Sequence, residues 1–190
     1  MNFNSLYKNN NSIYGLAASP WVVNVSRYIS APASVLDIGI GQGRNALYLS
    51  RLGYSVTGVD SSDVGIEQTK LAALNEGISI NLITSDIKQY IYDDLFDVIL
   101  STASLQYIGN ANEIFSEINR IKNNTKFSGL NVISVPTRTK IAMKMPYYFS
   151  FDTLVELYSD WELLELKEIE DTFSTGAIGT IAYLIAKKVS

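Results

Sequence analysis

The residues best placed to do chemistry lie in a glycine-rich turn near the start of the chain. Residues 35–45 read VLDIGIGQGRN, in which one acid, Asp37, precedes three alternating glycines at Gly39, Gly41 and Gly43. Glycines in such a turn let the backbone approach a ligand closely, and a helix that follows it offers unpaired N–H groups. The pattern is typical of a site for a nucleotide-like ligand.

Two familiar phosphate motifs do not fit this turn. A dinucleotide fingerprint has the spacing G-x-G-x-x-G, but the third glycine falls at Gly43 and the required place is held by Arg44. A P-loop would need Lys followed by Ser or Thr, and that pair is missing. The ligand is therefore expected to be nucleotide-like without a dinucleotide or P-loop signature.

Further acids follow the next predicted strands. Residues 56–60 read VTGVD, and Asp60 at the end of that strand can accept two charge-assisted hydrogen bonds from ribose hydroxyls. Asp86 and Ile87 follow the third strand, and the fourth opens into residues 101–107, STASLQY. Each signal is weak alone, but in this order and at the spacing of βαβ units they predict one cofactor site.

The elements that position these residues alternate along the chain, as in a parallel sheet with crossover helices. We predict strands at 33–38, 54–59, 78–83, 96–101 and 130–135, with helices at 43–52, 61–77 and 110–123. A helix at 151–158 and two antiparallel strands, 161–169 and 179–187, follow. Ser19 and Pro20 predict a helix through about Tyr28. The predicted fold class is α/β, a Rossmann-like seven-stranded mostly parallel sheet with an antiparallel last strand and helices on both faces.

Composition limits the chemistry. The chain of 190 residues contains no His and no Cys. Disulfides, thiolate nucleophiles, Cys-ligated metal centres and imidazole bases are thereby excluded, and we predict no metal site. Hydrophobic residues make up 47% of the chain and charged residues 18%, which is typical of a globular protein with a core.

Charge and hydropathy indicate which partners and which cellular location to expect. The net charge of −4 argues against a surface built to bind nucleic acid or anionic lipid. The start of the chain does not resemble a signal peptide, and no apolar run is long enough to span a bilayer. We therefore expect a soluble, cytoplasmic protein with no membrane or nucleic-acid partner, either a monomer or a homodimer.

These motifs resemble the class I methyltransferases that bind S-adenosylmethionine. The resemblance implies that the glycine turn contacts the methionine and ribose, that Asp60 binds the ribose, and that Asp86 and Ile87 meet the adenine. S-adenosylmethionine is then the cofactor and S-adenosylhomocysteine the product. The implied cofactor residues are Asp37, Gly39, Gly41, Gly43, Arg44, Asn45, Asp60, Ser61, Asp86, Ile87, Ser101 and Thr102.

Within that class, the chain resembles the tellurite-resistance and thiopurine-type small-molecule methyltransferases over nearly its whole length. The likeness is carried by residues 36–49, 53–57, 96–102, 146–149, 158–164 and 185–188. It implies one domain over 1–190, in which 1–30 form an N-terminal lid and helix and 33–190 form the cofactor-binding sheet core. Tyr14, Gly15 and Pro20 resemble the lid segment of such enzymes.

One loop departs from that family. Tellurite enzymes carry a His-Arg pair between the last two strands, whereas residues 171–176 here read DTFSTG. The difference puts tellurite specificity in question, and it removes a His base for an oxygen or nitrogen acceptor.

The predicted function is methyl transfer to a small-molecule acceptor at nitrogen, oxygen, sulfur or an oxyanion. In-line displacement needs mainly positioning, and no base is assigned. Arg44 either faces the methionine carboxylate or pairs with an acid. Arg138, Lys140 and Lys144 either receive an anionic substrate or form a solvated loop. The substrate-side candidates are Tyr7, Tyr14, Gln106, Tyr107, Tyr147 and Tyr148.

Two alternatives stay open. One is a catalytically inactive cofactor-binding protein that acts through a partner. The other is a methyltransferase for a peptide or carrier-bound substrate. A methyltransferase acting on RNA or a whole protein would instead predict a basic groove or an added recognition domain, and the net charge of −4 speaks against it.

Overall fold

The computed structural model describes residues 2–10, 12–139, 146–172 and 176–189. Its centre is a sheet of seven strands: β1 (Ser34–Ile38), β2 (Ser55–Asp60), β3 (Asn81–Thr84), β4 (Phe96–Thr102), β5 (Thr125–Thr139), β6 (Glu162–Thr172) and β7 (Ile178–Lys187). The strand order is β3-β2-β1-β4-β5-β7-β6. The first five strands pair in parallel, and β7 runs antiparallel to both β5 and β6. The predicted fold class is confirmed.

Helices connect the strands. They are α1 (Phe3–Lys8), α2 (Pro20–Val23), α3 (Arg44–Arg51), α4 (Asp63–Asn75), α5 (Ala111–Asn123) and α6 (Phe151–Leu157). Two 3₁₀ turns, Asn24–Arg27 and Leu105–Tyr107, complete the set in the described ranges. Asn110 and Glu113 form a capping box that starts α5. Among the described residues, no helix combines the length and the apolar character needed to cross a bilayer.

Two apolar layers cover the two faces of the sheet. Side chains alternate along a strand, so Val35 points to one face of β1 and Leu36 to the other. Leu36 belongs to the layer that α5 and α6 cover, whereas Val35 belongs to the layer covered by α2, α3 and α4. Burial on both faces is typical of parallel sheets, and it leaves the carboxyl ends of the strands as the exposed edge.

Several predicted boundaries shift. β3 begins at Asn81 rather than at residue 78, because the amide of Ile78 donates to the carbonyl of Ala73 and closes the end of α4. β5 extends beyond residues 130–135 in both directions, since it pairs with β4 at its start and with β7 farther on. The predicted helix after Pro20 is a single α-helical turn that continues as a 3₁₀ turn.

The N-terminal region holds two differences from expectation. Helix α1 was not predicted, and it begins where the side chain of Asn2 accepts the amide of Ser5. Ser19 has the extended backbone of an N-cap, but its side chain makes no capping hydrogen bond. Its hydroxyl instead accepts a hydrogen bond from Arg44.

Candidate active site

A cavity of about 640 Å³ lies at the carboxyl ends of β1, β2, β3 and β4. Ligands of open α/β sheets bind at this edge. The predicted cofactor residues that line it are Gly39, Gly41, Arg44, Asn45, Asp60, Ser61, Asp86, Ile87 and Thr102. The predicted substrate-side residues Tyr7, Tyr14 and Tyr107 line it as well.

The glycine turn is held mainly by contacts within the protein. The amides of Gly39 and Ile40 donate to the carbonyl of Val59 at 2.8 and 3.1 Å, which joins the turn to β2. A Cβ atom on Gly43, whose φ is +79°, would lie 2.5 Å from Cγ2 of Thr69 on α4. Gly43 does not line the cavity, although it was expected to contact the cofactor. The close approach of the turn to α4 explains why glycine is needed at this position.

Asp60 joins the tip of β2 to the glycine turn. Its Oδ2 accepts the amide of Gly41 at 2.8 Å, and its Oδ1 accepts the amide of Ser62 at 2.8 Å. Burial raises the pKa of Asp60, while these amide hydrogen bonds lower it. A carboxylate has about four acceptor positions, so Asp60 keeps capacity for hydroxyl donors in the cavity.

Asp37 lies beneath the turn rather than in the cavity wall. It is 1% exposed, and its Oδ1 has no hydrogen-bond partner among the described residues. Burial raises the pKa of Asp37 to about 7, with a smaller contribution from Asp60, while Arg44 lowers it. An orphaned buried carboxyl oxygen beneath a ligand turn is one feature that a bound cofactor with a cationic or donor group would satisfy.

Arg44 binds the N-terminal segment. Its Nη1 donates to the carbonyl of Tyr14 at 2.7 Å, and its Nη2 donates to Oγ of Ser19 at 3.0 Å. Burial lowers the pKa of this guanidinium, while Asp37 raises it. Arg44 lies in the cavity wall, and the charges of Asp37 and Asp171 also act on it, so both predicted roles of Arg44 stay predictions.

Asn45 connects the end of β4 to the same segment. Its Nδ2 donates to Oγ1 of Thr102 at 2.9 Å, and its Oδ1 accepts the amide of Ser19 at 2.9 Å. Ser101, the other predicted residue here, is buried behind the wall, with its Oγ 2.7 Å from Oγ of Ser104. Ser104 takes its place in the cavity and donates to the carbonyl of Ile38.

The loop after β3 presents Asp86 and Ile87 to the cavity. Oδ1 of Asp86 accepts the amide of Lys88 at 2.9 Å, and its carbonyl accepts the amides of Gln89 and Tyr90. The amide of Ser85 donates to the carbonyl of Asp60 at 2.9 Å, which ties the start of the loop to β2. An acidic and an apolar side chain thus lie side by side in the cavity wall.

Aromatic side chains form the wall nearest the N-terminus. The rings of Phe3 and Tyr7 stack with centroids 6.0 Å apart, and Phe3 meets the edge of Tyr107 at 5.2 Å. Tyr7 is 4% exposed, and burial followed by the charge of Asp60 raises its pKa, so its hydroxyl keeps its proton at neutral pH. The contribution of Phe3 was missed, because the six-residue helix that carries Phe3 and Tyr7 is too short to show an apolar period.

The predicted N-terminal lid segment is held against the glycine turn. Oε1 of Gln42 accepts the amide of Ile13 at 2.9 Å, and its Nε2 donates to the carbonyl of Asn10 at 2.6 Å. Oγ of Ser62 donates to Oδ1 of Asn4 at 2.6 Å. Sequence reasoning missed Gln42, because its partners lie about thirty residues away.

Three predicted substrate-side residues do not line the cavity. Gln106 is 2% exposed, and its Nε2 donates to the carbonyl of Ala103 at 2.8 Å. Tyr147 packs in the core against Phe149, with ring centroids 5.0 Å apart. Tyr148 is 36% exposed and is absent from the cavity wall.

The predicted cationic loop falls largely outside the described part of the chain. Lys140 and Lys144 lie outside the described residues, as does the side chain of Arg138. The cationic side chains of the described cavity wall are Arg44 and Lys88. Lys88 Nζ donates to Oε1 of Glu113 at 3.2 Å.

Comparison with known proteins decides the family. A sequence profile of the family described as "Tellurite resistance protein TehB" matches residues 5–180. The chain belongs to the TehB family. The "Probable S-adenosyl-L-methionine-dependent methyltransferase TehB" of Haemophilus influenzae is 36% identical over 150 residues, which are 77% of this chain and 52% of that protein. The chain thus spans about half the length of the curated TehB relatives that it matches.

Other relatives and solved structures are similar to the chain in sequence or in fold. The "Ubiquinone biosynthesis O-methyltransferase" of Rickettsia akari is 32% identical over 108 residues, which are 57% of this chain and 42% of that protein. The crystal structure of TehB from Haemophilus influenzae superposes with a TM-score of 0.83 at 29% identity, over 97% of this chain and 66% of that one. A methyltransferase structure from Methanosarcina mazei, at 20% identity and a TM-score of 0.76, covers 92% of this chain and 99% of that one and shares the fold.

The resemblance to class I methyltransferases is confirmed, and S-adenosylmethionine is the cofactor named for the TehB relatives. The chemistry of the cavity fits this cofactor. It offers acids at the tips of β2 and after β3, a glycine turn, and a buried carboxyl oxygen on Asp37 that has no partner in the described part of the chain.

Proposed function

We propose that this TehB-family chain transfers a methyl group from S-adenosylmethionine to a small-molecule acceptor. The observation that carries the proposal is that one cavity joins the acids and glycines expected for the cofactor to an aromatic wall. The wall is formed by Phe3, Tyr7 and Tyr107. Rings of this kind suit an apolar or partly apolar acceptor.

Each cofactor portion has residues that would hold it. Asp60 and the glycine turn would hold the ribose, Asp86 and Ile87 the adenine, and Arg44 with Asp37 the methionine end. When bound, S-adenosylmethionine supplies an electrophilic methyl group on a positively charged sulfur. The protein's task is then to hold an acceptor lone pair in line with the carbon–sulfur bond.

Positioning is the main catalytic contribution that these residues can make. Well-oriented reactants can gain about 7–11 kcal/mol from alignment in favourable models. An ordinary tyrosine keeps its proton at neutral pH, and burial raises the pKa of Tyr7 further, so its hydroxyl serves as a hydrogen-bond donor rather than a base. An acceptor with a free lone pair, such as an amine or a thiolate, therefore suits this site better than an alcohol.

In the described cavity wall, both cationic side chains have hydrogen-bond partners within the protein, which supports an uncharged or soft acceptor. Arg44 is engaged by Tyr14 and Ser19, and Lys88 is engaged by Glu113. The N-terminal segment is hydrogen-bonded to the glycine turn, and its residues Tyr7, Tyr14 and Gly15 line the cavity, which supports a small acceptor rather than a peptide or a carrier-bound substrate.

The test is release of S-adenosylhomocysteine in the presence of matched acceptors. An aryl amine, an aryl thiol and a phenol that share one ring system are each incubated with the chain and S-adenosylmethionine. We expect turnover with the amine or the thiol and little with the phenol. Cofactor binding without turnover on any acceptor, including peptides, would support the inactive cofactor-binding alternative instead. Turnover on a peptide alone would exclude the small-molecule acceptor.

A further inference from the structure

We propose that Arg120 and Glu117 of α5 are positioning residues that set the adenine-binding loop for the cofactor. This loop, defined as residues 85–92, presents Asp86 and Ile87 to the cavity. The inference rests on the proposed function, because it assigns the adenine to these two residues. Neither Arg120 nor Glu117 lines the cavity, so both would act through the loop.

The guanidinium of Arg120 hydrogen-bonds to three backbone carbonyls of the loop. Nη1 of Arg120 donates to the carbonyls of Ile87 and Lys88, both at 3.3 Å, and its Nη2 donates to the carbonyl of Tyr90. Ile87 and Lys88, which provide two of these carbonyls, both line the cavity. A guanidinium is planar, permanently charged and carries five donors, so it can fix several carbonyls at once, which lysine cannot do.

Glu117 orients that guanidinium. Its side chain is 2% exposed, and its Oε2 accepts Nη1 of Arg120 at 2.6 Å. Its Oε1 accepts the hydroxyl of Tyr92 at 2.6 Å, at the far end of the loop. The guanidinium carbon of Arg120 lies 5.0 Å from the centroid of the Tyr92 ring. A buried carboxylate with both oxygens engaged holds its partners in one arrangement.

The residues of α5 that contact the loop lie along one face of the helix. Glu113, Glu117 and Arg120 are four and three residues apart, so they lie on one face of the helix. Glu113 bonds Lys88 of the loop at 3.2 Å, in addition to its part in the capping box. In the described part of the chain, no helix or strand lies between β3 and β4, so these side chains support the loop together with the buried ring of Tyr90.

The consequence concerns recognition of the adenine. A loop whose carbonyls are fixed presents Asp86 at a defined distance from a bound ring, and less ordering is needed when the ligand arrives. Loss of the guanidinium would let the loop move as a unit. The protein would then lose affinity for the cofactor and, with it, the ability to distinguish adenine from a purine that lacks the amino group.

The experiment compares two ligands by calorimetric titration of the whole chain. One is S-adenosylhomocysteine, and the other is its analogue in which purine, without the 6-amino group, replaces adenine. The variants are Arg120→Ala, Asp86→Ala and the double variant. Arg51→Ala is the matched control, because Arg51 forms a bidentate pair with Glu76 on the exposed surface away from the loop.

We expect Arg120→Ala to weaken binding of S-adenosylhomocysteine by about tenfold, as for residues coupled in one network. It should also bring the two ligands to nearly equal affinity, and its effect should not add to that of Asp86→Ala. Arg120→Lys should give an intermediate value. If Arg120→Ala fails to fold, as judged by circular dichroism, the lysine variant carries the same comparison.

Two results would overturn the inference. One is an affinity within about twofold of the Arg51→Ala control. The other is equal weakening of both ligands with strict additivity to Asp86→Ala, which a merely structural role predicts. If the unaltered chain bound neither S-adenosylmethionine nor S-adenosylhomocysteine, the proposed function itself would fail, independently of Arg120.

Discussion

Oδ2 of Asp60 accepts the backbone amide of Gly41 at 2.8 Å. The acid at the tip of β2 and the glycine turn after β1 therefore form one unit, although nineteen residues separate them. The acid both shapes the turn and faces the cavity. Loss of the Asp60 carboxylate would therefore affect both ligand binding and the conformation of the glycine turn.

Removal of the Asp60 carboxylate should weaken cofactor binding. Asp60→Ala loses the charged hydrogen bond to the Gly41 amide and those that we propose to the ribose, and we expect a loss of about 1.5–3 kcal/mol in binding free energy for S-adenosylhomocysteine. Calorimetric titration measures it. Asp63→Ala is the control, because Asp63 is an exposed acid in the first turn of α4. Equal affinities in both variants would remove Asp60 from the site.

Asp37 should make the stability of the ligand-free chain fall as the pH rises. Its pKa is raised to about 7 in the folded protein from 3.8, so the folded state binds the proton more tightly than the unfolded state. The stabilisation is complete below the unfolded pKa and is lost as the pH rises through the folded pKa, at up to about 1.4 kcal/mol per pH unit.

Asp37→Asn tests this titration. The amide cannot ionise, so the variant should lose less free energy of unfolding than the parent between pH 5 and pH 8, since about three pH units separate the folded and unfolded pKa values. Urea unfolding at both pH values gives the difference. The same slope in both proteins would show that the Asp37 carboxyl does not titrate in this window.

Gly43→Ala should destabilise the fold through a clash as well as through backbone strain. Gly43 has a φ of +79°, and an added Cβ would meet Thr69 at 2.5 Å. Gly77→Ala is the control, since Gly77 has a φ of +66° and nothing within 4 Å of an added Cβ. The strain should cost each variant about 1–2 kcal/mol, with a further cost at Gly43 alone. Thermal or urea unfolding compares them, and equal losses would contradict the packing account.

Gln42→Ala should loosen the N-terminal segment. The change removes the hydrogen bonds to the amide of Ile13 and to the carbonyl of Asn10, each worth about 0.5–1.5 kcal/mol. Hydrogen exchange should quicken in the peptide that contains α1, and bound S-adenosylhomocysteine should dissociate faster. Asn112→Ala, at an exposed position of α5, should change neither. Unchanged exchange in Gln42→Ala would show that the segment is held by other contacts.

The sheet and its edge were predictable because they depend on local patterns. Apolar runs that end in glycines or acids placed Asp60 and Asp86 at the carboxyl ends of strands, and parallel pairing then brought both acids to one edge. The helix α1 was not predictable in this way, because its six residues are too few for an apolar period to be visible. Its contribution depends on Phe3 and Tyr7 packing against distant parts of the chain.

The substrate side was predicted less well, since position after a strand does not fix the direction of a side chain. Gln106 and Tyr107 are adjacent in one 3₁₀ turn, yet Tyr107 lines the cavity and Gln106 points to the carbonyl of Ala103. Ala103 has a φ of +54°, a left-handed conformation that no pattern in the sequence predicts. The sequence shows which types of residues lie near the site, but the directions of their side chains depend on turns of this kind.

The most direct test of the central claim is calorimetric titration of the unaltered chain with S-adenosylmethionine and S-adenosylhomocysteine. We expect saturable binding of both ligands at one site per chain, weakened in Asp60→Ala and unchanged in Asp63→Ala. Absence of binding by either ligand to the folded chain would contradict it.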